Sequence, residues 1–136
     1  MQSISEIGAQ LQEWERLLFQ ELEILVPDAE LLAALEQENV LIGSDGSQIG
    51  PTASFSWVMS NNAGRRLARC AGPCFGLRLN SYRAEGYGLL SVCRFLLQLK
   101  QRFNIDMQQA SIFCDNKSMV NRTIKSPRNL NRIFPN

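Results

Sequence analysis

Apolar residues recur every three or four positions in the first quarter of the chain, with glutamates between them. This spacing predicts an amphipathic helix whose stripe consists of Ile7, Leu11, Trp14, Leu18, Leu22 and Leu25. Pro27 ends that helix, and Asp28 is placed to cap a second, short helix that reaches Gln37. We therefore predict that residues 1–38 form a helical linker or accessory segment, which packs on its own domain or on a neighbouring one.

The pattern changes after residue 39, where apolar residues run together or alternate as they do in strands. Residues 40–45 form a short apolar run that ends in a carboxylate and predicts a central strand. Residues 53–59 alternate and predict a second strand with one apolar face, made of Phe55, Trp57 and Met59. Residues 61–64 favour a turn, and residues 65–71 return as a third strand. Short connections between the three strands indicate an antiparallel meander.

A long helix over residues 81–101 and a short strand over residues 110–114 follow the meander. Residues 116–121 have helical character, whereas no period is visible after residue 126. Three strands, a helix, a strand and a further helix start predict an α/β domain, in the broad α+β sense of a mixed sheet with helices packed on it.

The net charge of +1 conceals a strong division of charge along the chain. Residues 1–38 carry nine acids and one base, a net charge of −8, whereas residues 39–136 carry 13 bases and four acids, a net charge of +9. A basic excess of this kind is typical of domains that meet phosphate. Four arginines are candidates for contacts with backbone phosphates: Arg65, Arg66, Arg69 and Arg78. A solvated strand face explains the presence of these arginines equally well.

The four cysteines favour buried thiols over a zinc site. Cys70 and Cys74 are close in sequence, but the chain has no histidine and no second close pair. Cys93 and Cys114 lie in apolar runs, where a thiol behaves as a small hydrophobe. Free thiols suit a reducing compartment, so we expect an intracellular protein, cytoplasmic or nuclear. Neither a signal peptide nor a membrane span is predicted.

Three of the four acids in the basic segment occupy positions where a carboxylate is costly. Asp45 and Asp115 each end an apolar strand, and Glu85 lies in the first turns of the long helix. Glu85 shares its helix face with Leu89, Val92 and Leu96. A buried, unpaired carboxylate costs several kcal/mol, so it must protonate, pair with a base or bind a cation. Pairing with an arginine explains any one of these acids, whereas the three together favour a shared cation site.

Three short motifs in order resemble the ribonuclease H family, in the version found behind the reverse transcriptases of retroelements. They are Asp-Gly-Ser at 45–47, Ser-Tyr-Arg-Ala-Glu at 81–85 and Asp-Asn at 115–116. The resemblance covers residues 40–123 and implies a ribonuclease-H-like fold. It also implies a metal-dependent endonuclease that cuts the RNA strand of RNA–DNA hybrids, with an adjoining reverse transcriptase domain as a partner.

The resemblance also implies roles for individual residues. Asp45, Glu85 and Asp115 would ligate Mg²⁺ or Mn²⁺, hard cations that prefer carboxylate oxygens. The residues expected to contact the substrate are Gly46, Ser47, Arg83 and Asn116, although Arg83 fits the role of a structural partner for an acid equally well.

This chain departs from the family pattern after Asp115. The family usually has a fourth acidic ligand on a later helix and often a catalytic histidine, and this chain has no acid after Asp115 and no histidine. We therefore expect residues 39–136 to be an incomplete, C-terminally truncated domain that is weakly active or inactive alone. One alternative is a catalytically dead module that binds nucleic acid. Another is a structural protein whose basic surface meets an acidic partner, such as its own N-terminal segment.

Overall fold

A computed structural model describes residues 3–75, 81–114 and 122–124. In these ranges six strands form one mixed sheet, and helices pack on it. The strands are β1 (Glu23–Ile24), β2 (Asn39–Ile49), β3 (Thr52–Ser60), β4 (Arg66–Pro73), β5 (Gln109–Cys114) and β6 (Arg122–Ile124). The α-helices are α1 (Glu13–Arg16), α2 (Asp28–Gln37) and α3 (Ser81–Phe103), and 3-10 helices span Ile4–Gln10 and Leu17–Phe19. Across the sheet the strands run in the order β1-β4-β3-β2-β5-β6.

The predicted antiparallel meander is confirmed in β2, β3 and β4. β2 pairs with β3 from Leu41 to Ile49, and β3 pairs with β4 in the same antiparallel sense. The alternation in β3 has the predicted consequence, because Phe55, Trp57 and Met59 are all buried against the core. At the turn before β4, Gly64 adopts a positive φ of 86°, a conformation that glycine accepts without strain.

The long helix and the strand after it are also confirmed. α3 packs on β2 and β3 and connects the meander to β5, which pairs in parallel with β2. The parallel pairing requires such a crossover connection, because the chain must return to the same end of the sheet. The sequence did not predict β6, which pairs antiparallel with β5. The helical character predicted for residues 116–121 lies outside the described residues.

The prediction of one amphipathic helix near the N-terminus is wrong. The segment instead forms the two 3-10 helices, the four-residue helix α1 and the two-residue strand β1. The break comes at Leu11, whose backbone is extended (φ −91°, ψ 161°), and Trp14 is 51% exposed. Apolar contacts with the sheet and pairing of β1 with β4 replace the helical hydrogen bonds, because tertiary packing outweighs helix propensity in so short a segment.

The segment packs on its own domain, the first of the two alternatives that the sequence left open. Leu18 and Phe19 lie in the same core cluster as the sheet residues. α2 is confirmed, but the cap prediction is wrong, since Pro27 holds the N-cap position and Asp28 is the first helical residue. The Asp28 carboxylate instead accepts a 2.9 Å hydrogen bond from the Ile4 N–H and so ties the start of the chain to α2.

None of the helices in the described ranges is both long enough and apolar enough to cross a membrane.

Candidate functional site

Glu85 is buried where the first turns of α3 cross β2. Its side chain is only 2% exposed and continues the apolar face of the helix, as the spacing predicts. Its Oε1 accepts a 2.9 Å hydrogen bond from the backbone N–H of Gly46. The carboxylate therefore reaches the strand at the residue that follows Asp45.

Gly46 permits this close approach because it has no side chain. A Cβ at this position would lie 2.6 Å from the Glu85 nitrogen and 2.7 Å from the Ala84 Cβ, closer than real Cβ contacts. Gly88 lies on α3 one turn after Ala84, and a Cβ at Gly88 would collide with Ser44 Oγ. The absence of a side chain at Gly88 therefore also permits the close approach. Two glycines, one on each element, thus set the separation of α3 and β2 at the site.

Asp45 lies on the other face of β2. Side chains alternate along a strand, and Ser44, on the face toward α3, is buried, whereas Asp45 and Ser47 are exposed. The side chains of Asp45 and Glu85 therefore lie on opposite faces of β2. In the described part of the chain, no group of three or more acids or cysteines is close enough to hold a metal ion.

Asp45 and Ser47 line an open groove of about 500 Å³ on the face of the sheet away from α3. The groove also contains Glu21, which sequence reasoning missed because that residue lies in the predicted accessory segment. Serine hydroxyls from β3 complete the polar wall, at Ser54 and Ser56. A groove with two carboxylates and several hydroxyls suits a cation or a hydrogen-bonding ligand better than an apolar one.

Asp115 and Asn116, the third predicted motif, lie outside the described residues. Their predecessor Cys114 is described and is the parallel partner of Ser44 in the register between β5 and β2. β5 therefore ends level with the strand residue that precedes Asp45.

Arg83 makes contacts of a structural kind. Its Nε donates a 3.0 Å hydrogen bond to the Phe75 carbonyl, and its guanidinium lies 5.7 Å from the centre of the Tyr87 ring. The Tyr87 hydroxyl donates to the same carbonyl at 2.8 Å. These contacts anchor the loop after β4 to α3, and the predicted role of Arg83 in substrate contact stays a prediction.

Two of the arginines predicted to contact phosphate are engaged by the N-terminal segment. Arg65 pairs with Glu30 at 2.6 Å, and Arg69 pairs with Glu23 at 2.7 Å. Arg66 is exposed and makes no ion pair with a described residue. Arg78 lies outside the described ranges. Arg65 and Arg69 thus contact the chain's own acidic segment, which is the contact expected under the alternative of a basic surface that meets an acidic partner.

All four cysteines lie in the described ranges and form no disulfide there, and three of them, Cys70, Cys74 and Cys93, are buried. Burial raises the pKa of the Cys70 and Cys93 thiols to about 12, and that of Cys74 to about 11. These thiols are protonated at neutral pH and serve as small apolar groups, as predicted for Cys93. Cys114 is only partly buried.

No family model, curated protein or solved structure matches this chain.

Proposed function

We propose that this chain is a ribonuclease-H-like domain whose site beside Gly46 of β2 binds divalent metal ions and cuts the RNA strand of RNA–DNA hybrids. The observation that carries the proposal is the buried Glu85 carboxylate, held by the N–H of the residue that follows Asp45. A carboxylate buried to this degree must protonate, pair or bind a cation. We propose the third outcome because the carboxylate lies between α3 and the central strand β2, at the residue that directly follows Asp45.

The topology supports the same proposal. An antiparallel meander, a crossover helix and a strand parallel to the first one place the end of β5 beside Ser44 of β2, the residue before Asp45. Asp45 follows Ser44 within β2, Asp115 follows β5 directly in sequence, and Glu85 lies in the first turns of α3. In this proposal Asp115 supplies the third ligand, and the metal ion lies beside the Gly46 backbone, with Asp45 and Glu85 on the two faces of β2.

The chain's own groups would orient the ligands. The Gly46 N–H fixes one oxygen of Glu85, and the glycine pair of Gly46 and Gly88 holds the helix close enough for that contact. Carboxylate oxygens from Asp45, Glu85 and Asp115 form a donor set that suits Mg²⁺ or Mn²⁺. When bound, such an ion supplies Lewis acidity and an acidified water for phosphodiester hydrolysis.

Cleavage of a labelled RNA–DNA duplex tests the proposal. The 136-residue chain is mixed at equimolar concentration with the duplex and Mg²⁺ or Mn²⁺, because we expect slow turnover. Glu85→Gln removes the charge but keeps an oxygen for the Gly46 N–H. Asp106→Asn is the matched control, since Asp106 is exposed, lies before β5 and, among the described residues, forms its one ion pair with Lys100 at 3.5 Å.

We expect RNA fragments from the parent chain and from Asp106→Asn, and none from Glu85→Gln. Equal fragment yields from all three proteins would contradict the proposal, because the product would then not depend on the site. Hybrid binding without cleavage by the parent chain would favour the alternative of a catalytically dead binding module.

A further inference from the structure

The charge division of the sequence becomes a set of directed contacts in the fold. Three glutamates of the acidic segment, residues 1–38, each pair with one arginine of the basic segment, residues 39–136. The pairs are Glu15 with Arg94, Glu23 with Arg69 and Glu30 with Arg65, with shortest N···O distances of 2.6, 2.7 and 2.6 Å. In the first pair Glu15 is buried and Arg94 is partly exposed, whereas the other two pairs lie on the surface beside β4.

The arginines beside β4 form a basic row, which comprises Arg65, Arg66 and Arg69. All three are exposed, and the side chains of Arg65 and Arg69 are more than half exposed despite their ion pairs. β1 places Glu23 directly opposite Arg69 in the strand register, and α2 supplies Glu30 to Arg65. The acidic segment thus contacts two of the three members of the basic row.

The two surface pairs are weak enough to exchange for a stronger anion. Exposed ion pairs contribute little to stability, because water and salt screen them. Arginine binds phosphate in a bidentate geometry, and a phosphate backbone gains further free energy from the counterions that it releases. A nucleic acid that reaches the row can therefore displace the glutamates, but it must first overcome their charge.

We propose that the basic row is a nucleic-acid-binding surface and that Glu23 and Glu30 restrain it as intramolecular competitors for the phosphate backbone. This surface lies beside β4, two strands from β2, and the inference does not depend on metal-dependent cleavage. The acidic segment then has two roles. Its pair between Glu15 and Arg94 attaches it to α3, and its two surface pairs lower the affinity of the protein for polyanions.

Fluorescence anisotropy with a labelled 20-base-pair DNA duplex, measured over a series of salt concentrations, tests the inference. The test variant is Glu23→Gln with Glu30→Gln. The matched control is Glu13→Gln with Glu36→Gln, which removes the same charge from the same segment. Neither control residue makes an ion pair with a described residue.

We expect the test variant to bind the duplex about tenfold more tightly than the parent chain. The slope of log K against log[salt] should be steeper by about 2. Each arginine released to contact a phosphate adds roughly 0.9 to the magnitude of this slope. The control should gain less than threefold, with an unchanged slope. Equal gains and slopes in the two variants would overturn the inference, as would the absence of duplex binding by every protein.

A second experiment tests whether the gain in duplex affinity comes from the basic row. Adding Arg65→Gln and Arg69→Gln to the test variant should remove the gain in affinity and the extra salt dependence. Retention of the gain would overturn the inference. If the test variant fails to melt cooperatively, Glu30→Gln alone replaces it, because that change leaves β1 intact, and about a threefold gain is expected. No gain from Glu30→Gln would then overturn the inference.

Discussion

The backbone N–H of Gly46 and the Oε1 of Glu85 are joined by a 2.9 Å hydrogen bond, although 39 residues separate them in sequence. The bond links a central strand to the helix that crosses it, and it holds a buried carboxylate against the backbone of the residue that follows Asp45. Its length depends on a glycine at position 46, because any side chain there would meet the backbone of α3.

Gly46→Ala should therefore destabilise the fold. The added methyl group has to push α3 away from β2, a form of overpacking that typically costs about 1–3 kcal/mol. Gly43→Ala is the control on the same strand, since a Cβ at Gly43 would meet nothing within 4 Å. Urea unfolding should show a clear loss for Gly46→Ala and no loss for Gly43→Ala. Equal stability of the two variants would contradict the close approach described here.

The pair between the buried carboxylate of Glu15 and the partly exposed Arg94 should contribute more to stability than the more exposed pairs of Arg65 and Arg69. Arg94 donates two hydrogen bonds to Oε2 of Glu15, at 2.6 and 2.8 Å, and Gln98 donates to Oε1 at 3.2 Å. Glu15→Ala leaves these donors without their acceptor, which should cost about 3 kcal/mol in thermal or urea unfolding. Glu13→Ala, an exposed acid of the same helix, should cost less than 0.5 kcal/mol, roughly the usual range for surface changes.

Two buried serines should respond differently to the same substitution. Ser91 accepts a 2.9 Å hydrogen bond from the Trp57 indole N–H and donates to the Leu18 carbonyl at 3.0 Å. Ser44 Oγ, also buried, has no hydrogen-bond partner among the described residues. Ser91→Ala should cost about 1–3 kcal/mol, since it leaves a buried N–H unpaired, whereas Ser44→Ala should be neutral or slightly stabilising. Chemical unfolding of both variants in one buffer decides between this expectation and the reverse order.

The stability of the protein should fall at high pH partly through Cys93. Burial raises the pKa of this thiol from 9.0 to about 12, so the folded state keeps a proton that the unfolded state loses above pH 9. The thiol therefore stabilises the fold below pH 9, and this contribution is lost progressively between pH 9 and 12. Cys93→Ala should flatten the decline by about 1.4 kcal/mol per pH unit between pH 10 and 11. Parallel declines in the two proteins would contradict the assigned pKa.

The meander, α3 and β5 could be predicted from sequence because burial imposes a simple period on each. β3 alternates with Phe55, Trp57 and Met59 inward, and α3 repeats its apolar face through Leu89 and Val92. The N-terminal segment also has a helical period, yet it forms short pieces with Trp14 exposed. Its conformation depends on contacts with β4 and α3 that are distant in sequence.

The candidate site was predictable only in part, because most of its contacts join elements that are distant in sequence. The helical stripe correctly placed Glu85 in the interior, because that placement depends on local spacing alone. The contact with Gly46, the exposed position of Asp45 and the ion pairs of Arg65 and Arg69 depend on how separate elements meet. No local pattern distinguishes an arginine that binds phosphate from one that binds a glutamate of the same chain.

Direct metal binding is the measurement that most closely tests the central claim. Mn²⁺ titration, followed by the electron paramagnetic resonance of the free ion, should reveal saturable binding by the parent chain and by Asp106→Asn. Glu85→Gln and Asp45→Asn should each weaken that binding at least tenfold while thermal unfolding stays cooperative. Unchanged Mn²⁺ affinity in Glu85→Gln would contradict the claim that this buried carboxylate is a metal ligand.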